Sequence, residues 1–462
     1  MIFKSIATTF KFGVVAFLLI VFLFADGLWG SSSGFTGSVL REVTAVLRDP
    51  RTQWMVFLCL GIYFTTFLFV RARIATGFWR TASSNLWLGC ALIISIMLCL
   101  FNHSPSIEAL TLFAGAVLGQ GVAVWACFAV RSRRSEVRNS LGMVILSLLV
   151  MLLALASVWN VNSTHIFEYH GHTRWSGPWD NPNIAGLLMG TGVALALGLG
   201  ISRRKVEDGK LKAGDMNWKL GVKKYAVVIL CFFAAILMAR GLLHSYSRGA
   251  WLATTCGFTY LAVCELKAQS SGFSGWIRAN AFSLTVVAFS IFVLAVWQFG
   301  QAREVVARRA FSIGNVNDFS WRTRVAAWEG ALQIIAKKPW FGFGWNQPEP
   351  MYEHYYRMPK GVEGRAVQLN DYLMLGATLG IPALFCFGMY LWLSLFRNSA
   401  FSLQPLELLP ATCRAGAIVL LVGFWFDGGL FKLATASTFW ILLELGAVQL
   451  PQKGTKSANE VP

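Results

Sequence analysis

Apolar segments long enough to cross a bilayer recur along nearly the whole chain. A helix spans the hydrocarbon core with about 20 apolar residues. Twelve such stretches lie near 12–30, 53–70, 85–102, 108–130, 141–159, 183–201, 225–243, 250–266, 281–299, 371–396, 410–426 and 428–449. In lipid every backbone N–H and C=O must be paired within the protein, so this repetition predicts an all-α, polytopic membrane protein. Composition agrees: 56% of the 462 residues are hydrophobic and 13% are charged, with a mean hydropathy of +0.56. A soluble protein of this size needs a more charged surface. The reading is one membrane domain over 1–450, carrying loops at 160–182 and 300–370, and a disordered polar tail at 451–462. The apolar run up to Gly30, preceded by Lys4 and Lys11, has no small-residue cleavage site after it and reads as a signal anchor kept as the first span.

The formal net charge is +18. In a soluble chain that excess would suggest nucleic acid. Here its distribution follows the positive-inside rule and attraction to anionic lipid instead. Basic residues cluster after the second span (Arg71, Arg73, Arg80), after the fourth (Arg131, Arg133, Arg134, Arg138) and after the sixth, where Arg203–Lys224 holds eight. All three loops fall on one side, which is therefore expected to be cytoplasmic, with both termini beside it. The nine cysteines sit within or at the ends of apolar segments without a CxxC pair, so they read as packing residues rather than a metal site or disulfide framework.

The large loop breaks the charge trend. It carries ten basic residues, seven of them Arg, against six acids. Long loops escape the positive-inside rule, and Arg forks onto phosphate oxygens with two hydrogen bonds. An Arg-rich pocket at the membrane surface fits a phosphorylated lipid; solvated charges and headgroup anchors are the plainer alternative. Within this loop Ser320–Lys338 predicts an amphipathic helix, with Trp321, Val325, Trp328, Leu332 and Ile335 at helical spacing, a capping Ser320, and Pro339 as the stop. Arg322 and Arg324 lie in its first turns. The following PWFGFGWN reads as a membrane-interface turn.

Three short stretches on this outer side could carry chemistry. In Thr173–Gly186, Arg174 precedes a span whose start Asn181–Asn183 caps, and the free N–H groups there favour an anion. His165, His170 and His172 lie just upstream, at a spacing that matches no common metal motif. In HSYSRGA, Arg248 stands at the membrane edge with His244, Ser245, Tyr246 and Ser247 around it, and Arg240 lies on the preceding helix. An Arg so close to hydrocarbon needs a partner and is a candidate for function, with snorkelling as the alternative. In VQLNDYLMLGATLG, Gln368, Asn370 and Asp371 open a span, and Asn370 or Asp371 can cap it. No Walker A or D-x-D sequence is present, so nothing points to an activated nucleotide; a phosphate-linked donor would arrive attached to lipid.

SYSRGAWL, then RTRVAAWEGALQIIAKKPWFGFGWN, then LNDYLMLGATLGIPAL, in this order and spacing, resemble the O-antigen ligase and O-antigen polymerase superfamily over about Arg174 to Ala383. The resemblance implies a metal-independent glycosyltransferase without cofactor, at the periplasmic face of the bacterial inner membrane. It would move a glycan from a polyprenyl-diphosphate carrier to the hydroxyl of a lipid or saccharide acceptor. Ligases of the family serve lipopolysaccharide assembly and polymerases join repeat units. The resemblance also implies that Arg248 and Arg324 hold the diphosphate; Arg174, Arg322, Asn370 and His244 are the further candidates for substrate contact. One position departs from the pattern: Leu369 stands where the family has the His that serves the acceptor hydroxyl. Asp371 is the leading substitute, ahead of Glu363 and His354. The remaining alternatives are departure of the diphosphate with only weak base help, and a non-catalytic binder or transporter of lipid-linked glycan. A transporter would place charges near mid-bilayer and broken helices around a cavity.

Overall fold

The computed structural model describes residues 19–21, 23–24, 49–74, 78–101, 107–131, 135–158, 168–169, 172–179, 181–208, 218–269, 319–345, 370–396 and 408–447. These residues are helical apart from connecting turns and one antiparallel ladder of two-residue strands, β1 (Glu168–Tyr169) and β2 (His172–Thr173). In chain order the helices are α1 (Pro50–Ile74), α2 (Phe78–Phe101), α3 (Ile107–Arg131), α4 (Ser135–Val158), α5 (Pro182–Asp208), α6 (Trp218–His244), α7 (Arg248–Gln269), α8 (Phe319–Lys337), α9 (Asp371–Leu379), α10 (Ile381–Leu395), α11 (Leu408–Phe426) and α12 (Leu433–Ala447). The expected spans at 12–30 and 281–299 and the tail lie largely or wholly outside the described residues, as do Leu369, Glu363, His354, His165 and His170.

Three helices among the described residues are long and apolar enough to cross a membrane: Pro182–Ser202, Ala226–His244 and Leu409–Phe426. The centre of the bundle is α5, which packs on α4, α6, α7 and α11, while α11 also meets α7, α9 and α12. The span window of α5 is 94% buried, against 33% for α6. So α5 is sheathed by protein, and α6 leaves Val227, Ile229, Leu230 and Phe233 exposed. A helix hydrophobic all round is a core helix, whereas a ring of exposed apolar side chains marks the lipid-facing one.

Two sequence expectations need correction. The segment 371–396 reads as one span, but the chain breaks at Gly380 into α9 and α10, with φ 84° at the break. Only glycine tolerates that conformation without strain. The broken ends are paired by the turn after α8. Phe343 N donates to Ala377 O and Gly344 N to Thr378 O, both at 2.9 Å, and Ile381 N donates to Pro339 O at 2.7 Å. The two backbones lie so close that a side chain at Gly342 would strike the Thr378 carbonyl, and one at Gly380 the Trp340 carbonyl. PWFGFGW is therefore more than an interface turn. Trp340 and Phe341 are exposed, while Trp345 is buried and donates through Nε1 to Ser95 Oγ on α2. The helix break is filled by the 339–344 turn.

The bundle also holds a charged side chain in its interior. Glu444 on α12 is 1% exposed and accepts from Gln120 Nε2 of α3 at 2.7 Å and from Tyr390 OH of α10 at 2.5 Å. A buried acid is tolerated here because two protein donors meet one oxygen. On α8 the packing face is also rotated from the expected stripe. Ala327, Ala331, Ile334 and Ile335 are buried, and Val325 and Leu332 stay exposed. The small alanines let α8 approach α9, where Met374 and Ala377 complete the contact.

The interlock at Gly380 yields the first prediction. Gly380→Ala should cost about 1–3 kcal/mol, seen as a lower midpoint of thermal unfolding in detergent. An unchanged midpoint would show that the turn and the helix break are not coupled.

Candidate functional site

The site is assembled around the turn that leaves α11. Asp427 follows the last residue of that helix, and its carboxylate meets two of the motifs singled out in the sequence. Oδ1 lies 2.6 Å from Arg324 Nη2, and Oδ2 accepts from Ser247 Oγ at 2.6 Å. The side chains of Arg324 and Asp427 are 14% and 1% exposed. Ser247 also caps α7, because its Oγ accepts from Ala250 N at 3.2 Å. One hydroxyl thus starts a helix and orients a carboxylate. The next residue but one is glycine for steric reasons: a Cβ at Gly249 would collide with Asp427 Oδ2. Arg248 is buried between these two Asp427 neighbours at the first turn of α7. The S-R-G sequence is explained residue by residue: cap, buried cation, close approach.

The same turn is held from its other end. Asn370 caps α9, its Oδ1 accepting from Tyr372 N at 3.0 Å and Leu373 N at 3.1 Å. Asp371 does not cap. It is 2% exposed and its Oδ2 accepts from Leu430 N at 2.6 Å. The polar cluster that opens this segment therefore splits its work: Asn370 begins the helix, and Asp371 fixes the chain three residues beyond Asp427.

The Arg174 region buttresses the Ser245–Ser247 turn. Arg174 Nε donates to Ser245 O at 2.8 Å and Nη2 to Asn183 Oδ1 at 2.7 Å. Trp175 N donates to His244 O at 2.9 Å. The rings of Trp175 and His244 stack at 4.1 Å, and the Arg240 guanidinium lies 5.0 Å from the Trp175 ring. Asn181 caps α5 through Asn183 N and Ile184 N. Tyr246 is the one described non-glycine residue at positive φ, 48°, and is fully buried. Backbone strain of this kind persists where surroundings over-determine it, and it clusters at functional sites.

Arg174, His244, Ser247, Arg248, Arg324, Asn370 and Asp371 all lie at one end of the bundle, linked through Asp427 and its turn. Arg322 is exposed on α8, apart from the carboxylate that holds Arg324. Arg324 Nε, Trp328 Nε1 and Asn370 Nδ2 are buried donors without a hydrogen-bond partner among the described residues. Trp328 follows Arg324 by one helical turn and packs on Trp425 and Phe426 at 5.7 and 6.4 Å. Buried unmet donors are costly and call for an explanation such as a ligand acceptor.

Residues 233–388, from within α6 to within α10, match the family model described as O-antigen ligase. Over this segment the chain is similar to the O-antigen ligase/polymerase superfamily. The match includes Arg248, Arg324, Asn370 and Asp371, and ends before Asp427. Members of that family are glycosyltransferase-like membrane enzymes, and the three long apolar helices of this chain accord with a membrane protein. No curated protein matches the chain.

Sequence reasoning missed Asp427. The signal was available: it is the sole acid in the short gap between the apolar stretches at 410–426 and 428–449. A lone acid there, on a chain whose outer arginines need partners, was a candidate counter-ion.

The geometry predicts energetic coupling between Arg324 and Asp427. A double-mutant cycle with Arg324→Ala and Asp427→Ala, read by thermal unfolding in detergent, should return at least about 1 kcal/mol, within the range for contacting buried pairs. Additive effects would contradict the pairing.

Proposed function

We propose that this protein is an O-antigen ligase-like glycosyltransferase of the bacterial inner membrane, with twelve spans, both termini cytoplasmic and the Asp427 site at the periplasmic face. Its donor is a glycan on a polyprenyl diphosphate, and its acceptor is a lipid or saccharide hydroxyl in lipopolysaccharide or exopolysaccharide assembly. The observation that carries this reading is the buried Arg324–Asp427–Ser247 junction beside Arg248, with Arg324 Nε without a partner among the described residues.

In the proposed reaction the acceptor oxygen attacks the anomeric carbon, the bond from that carbon to the diphosphate oxygen breaks, and the acceptor proton passes to water. Negative charge builds on the departing diphosphate. Fixed guanidinium groups stabilise that charge most as it develops. Asp427 is proposed to position Arg324: it holds one end of the guanidinium and leaves Nε for a phosphate oxygen. Trp328 Nε1 and Asn370 Nδ2 are proposed as further donors to the substrate. Arg174 and His244 are proposed to act through the turn they hold. For Asp371 we propose a positioning role, because one carboxylate oxygen is already committed to Leu430 N and the residue is buried. A polymerase of the same superfamily would use the same donor site. The transporter alternative is less well supported, since the helix break is filled by the 339–344 turn and Glu444 is paired within the bundle.

The test is glycan transfer by the reconstituted protein with a lipid-linked donor. Arg324→Ala and Arg248→Ala should each lower kcat about 10²–10³-fold, as loss of a charge-stabilising donor does. Asp371→Asn should stay within about tenfold of the parent, because the amide oxygen can still accept from Leu430 N. A loss of about 10²–10⁴-fold in Asp371→Asn would instead assign it as the base. Full activity in both Arg variants would refute the mechanism.

A further inference from the structure

The second carboxylate at the site end has so far only held a turn. Asp371 is buried, and its Oδ2 accepts from Leu430 N at 2.6 Å. It heads α9, outside the apolar helix Ile381–Leu395 that begins beyond the break at Gly380. Asp427 has a guanidinium to balance its charge. Asp371 is met instead by the N–H groups of Leu430 and Gly429, with the exposed Lys432 ammonium as its charged neighbour. A buried charge so partnered is costly. Burial pushes the Asp371 carboxyl up to about 7, against those N–H groups and Lys432, which favour the charged form.

The groups around Asp371 are otherwise committed. Helix α9 packs on α2, α8, α10 and α11. From α8 comes Arg324, paired with Asp427; the other described charges of that helix are exposed. From α10 and α2 come Cys386 and Cys90, which act on each other, and Tyr390, which is bonded to Glu444. On α9 itself Tyr372 OH donates to Leu421 O at 2.7 Å.

Asp371 grips the turn that carries the anion seat. Leu430 lies three residues beyond Asp427, which holds Arg324. Asn370, whose buried Nδ2 has no hydrogen-bond partner among the described residues, directly precedes Asp371. We infer that Asp371 carries a proton while an anion occupies the Arg324 end, so that anion binding there and proton uptake by Asp371 favour each other. The inference rests on the seat proposed above and adds how pH acts on it. Ionised, Asp371 would put a second negative charge beside Asp427, repelling an incoming phosphate where burial weakens screening. The neutral acid removes that repulsion, and its carbonyl oxygen still accepts from Leu430 N, so the turn stays pinned. Linkage makes the effect reciprocal: a bound anion raises the hold of Asp371 on its proton. The same preference grows as negative charge builds on the departing diphosphate.

The sign follows from the raised value. An unfolded Asp gives up its proton near about pH 3.9, whereas the folded chain keeps it to about 7. The stability this group contributes is therefore full at low pH and is lost as pH rises between those values. The full chain is placed in phosphatidylcholine nanodiscs. Thermal midpoint and inorganic pyrophosphate binding are measured for the parent, Asp371→Asn, Lys432→Glu and Arg324→Ala. The ionisation of pyrophosphate is common to all four and cancels in the comparison. From about pH 5 to about pH 8 the parent midpoint should fall by at least about 2 °C relative to Asp371→Asn. Over the same range its pyrophosphate affinity should fall at least about threefold relative to that variant. Lys432→Glu, at an exposed position, should raise the pH at which affinity is lost. Parallel binding curves for the parent and Asp371→Asn overturn the inference, as does a parent that gains affinity with rising pH or an unmoved curve in Lys432→Glu. Pyrophosphate binding that survives Arg324→Ala unchanged overturns the donor reading and the coupling with it. Parallel curves with Arg324-dependent binding overturn the coupling alone.

Discussion

The carboxylate of Asp427 is the contact on which the site depends. It is 1% exposed, and it receives the Ser247 hydroxyl on one oxygen and the Arg324 guanidinium on the other, each at 2.6 Å. A buried carboxylate is costly unless paired and hydrogen-bonded, and so is a cation at the edge of hydrocarbon. Bringing the two together relieves both. It also ties α7, α8 and α11 at one end of the bundle, although these elements are far apart in the chain. Asp371 reinforces the arrangement by gripping Leu430 N. The turn at 427–430 is thus clamped at both ends, and the guanidinium it holds is oriented before any ligand arrives. Preorganisation of that kind makes electrostatic stabilisation effective, because no reorganisation is needed at the moment of reaction.

The interlock between the 339–344 turn and the break at Gly380 plays the supporting part. A broken helix inside a membrane bundle leaves carbonyls that water cannot reach, and each must find a partner. Here Phe343 N, Gly344 N and Pro339 O close the gap. The result fixes the C-terminal end of α8 to the junction of α9 and α10. Helix α8 carries Arg324 and Trp328, and α9 carries Asn370 and Asp371, so the interlock sets their mutual placement. P-x-x-G-x-G and the glycine at 380 are two halves of one device, each glycine admitting the other segment's backbone.

Much of this was legible in the sequence. The apolar repetition indicated helices, Ser320–Lys338 predicted a helix that the structure places at Phe319–Lys337, and the caps at Asn181 and Asn370 were both read from residue type. What was hidden depended on contacts between distant segments. A run such as YLMLGATLGIPALF has no charged residue to mark the break, and the groups that pair its broken ends, at Pro339, Phe343 and Gly344, come from a separate segment earlier in the chain. Helix α8 has larger apolar residues on one side and small ones on another; which side packs is decided by how closely α9 can approach. Glu444 fits a span interior only once Gln120 and Tyr390 are brought to it from α3 and α10. Asp427 was visible as a residue but not as a partner, since Arg324 lies 103 positions away.

The central claim is that the Arg324–Asp427–Ser247 junction is an anion seat for a lipid diphosphate. The most direct measurement is an experimental structure of the protein bound to a polyprenyl diphosphate in a lipid nanodisc. The account predicts phosphate density about 2.7–2.9 Å from the Arg324 guanidinium and against Arg248, with the Asp427–Ser247 hydrogen bond kept. Diphosphate density at the opposite end of the bundle, or at this end but away from Arg324, would contradict it.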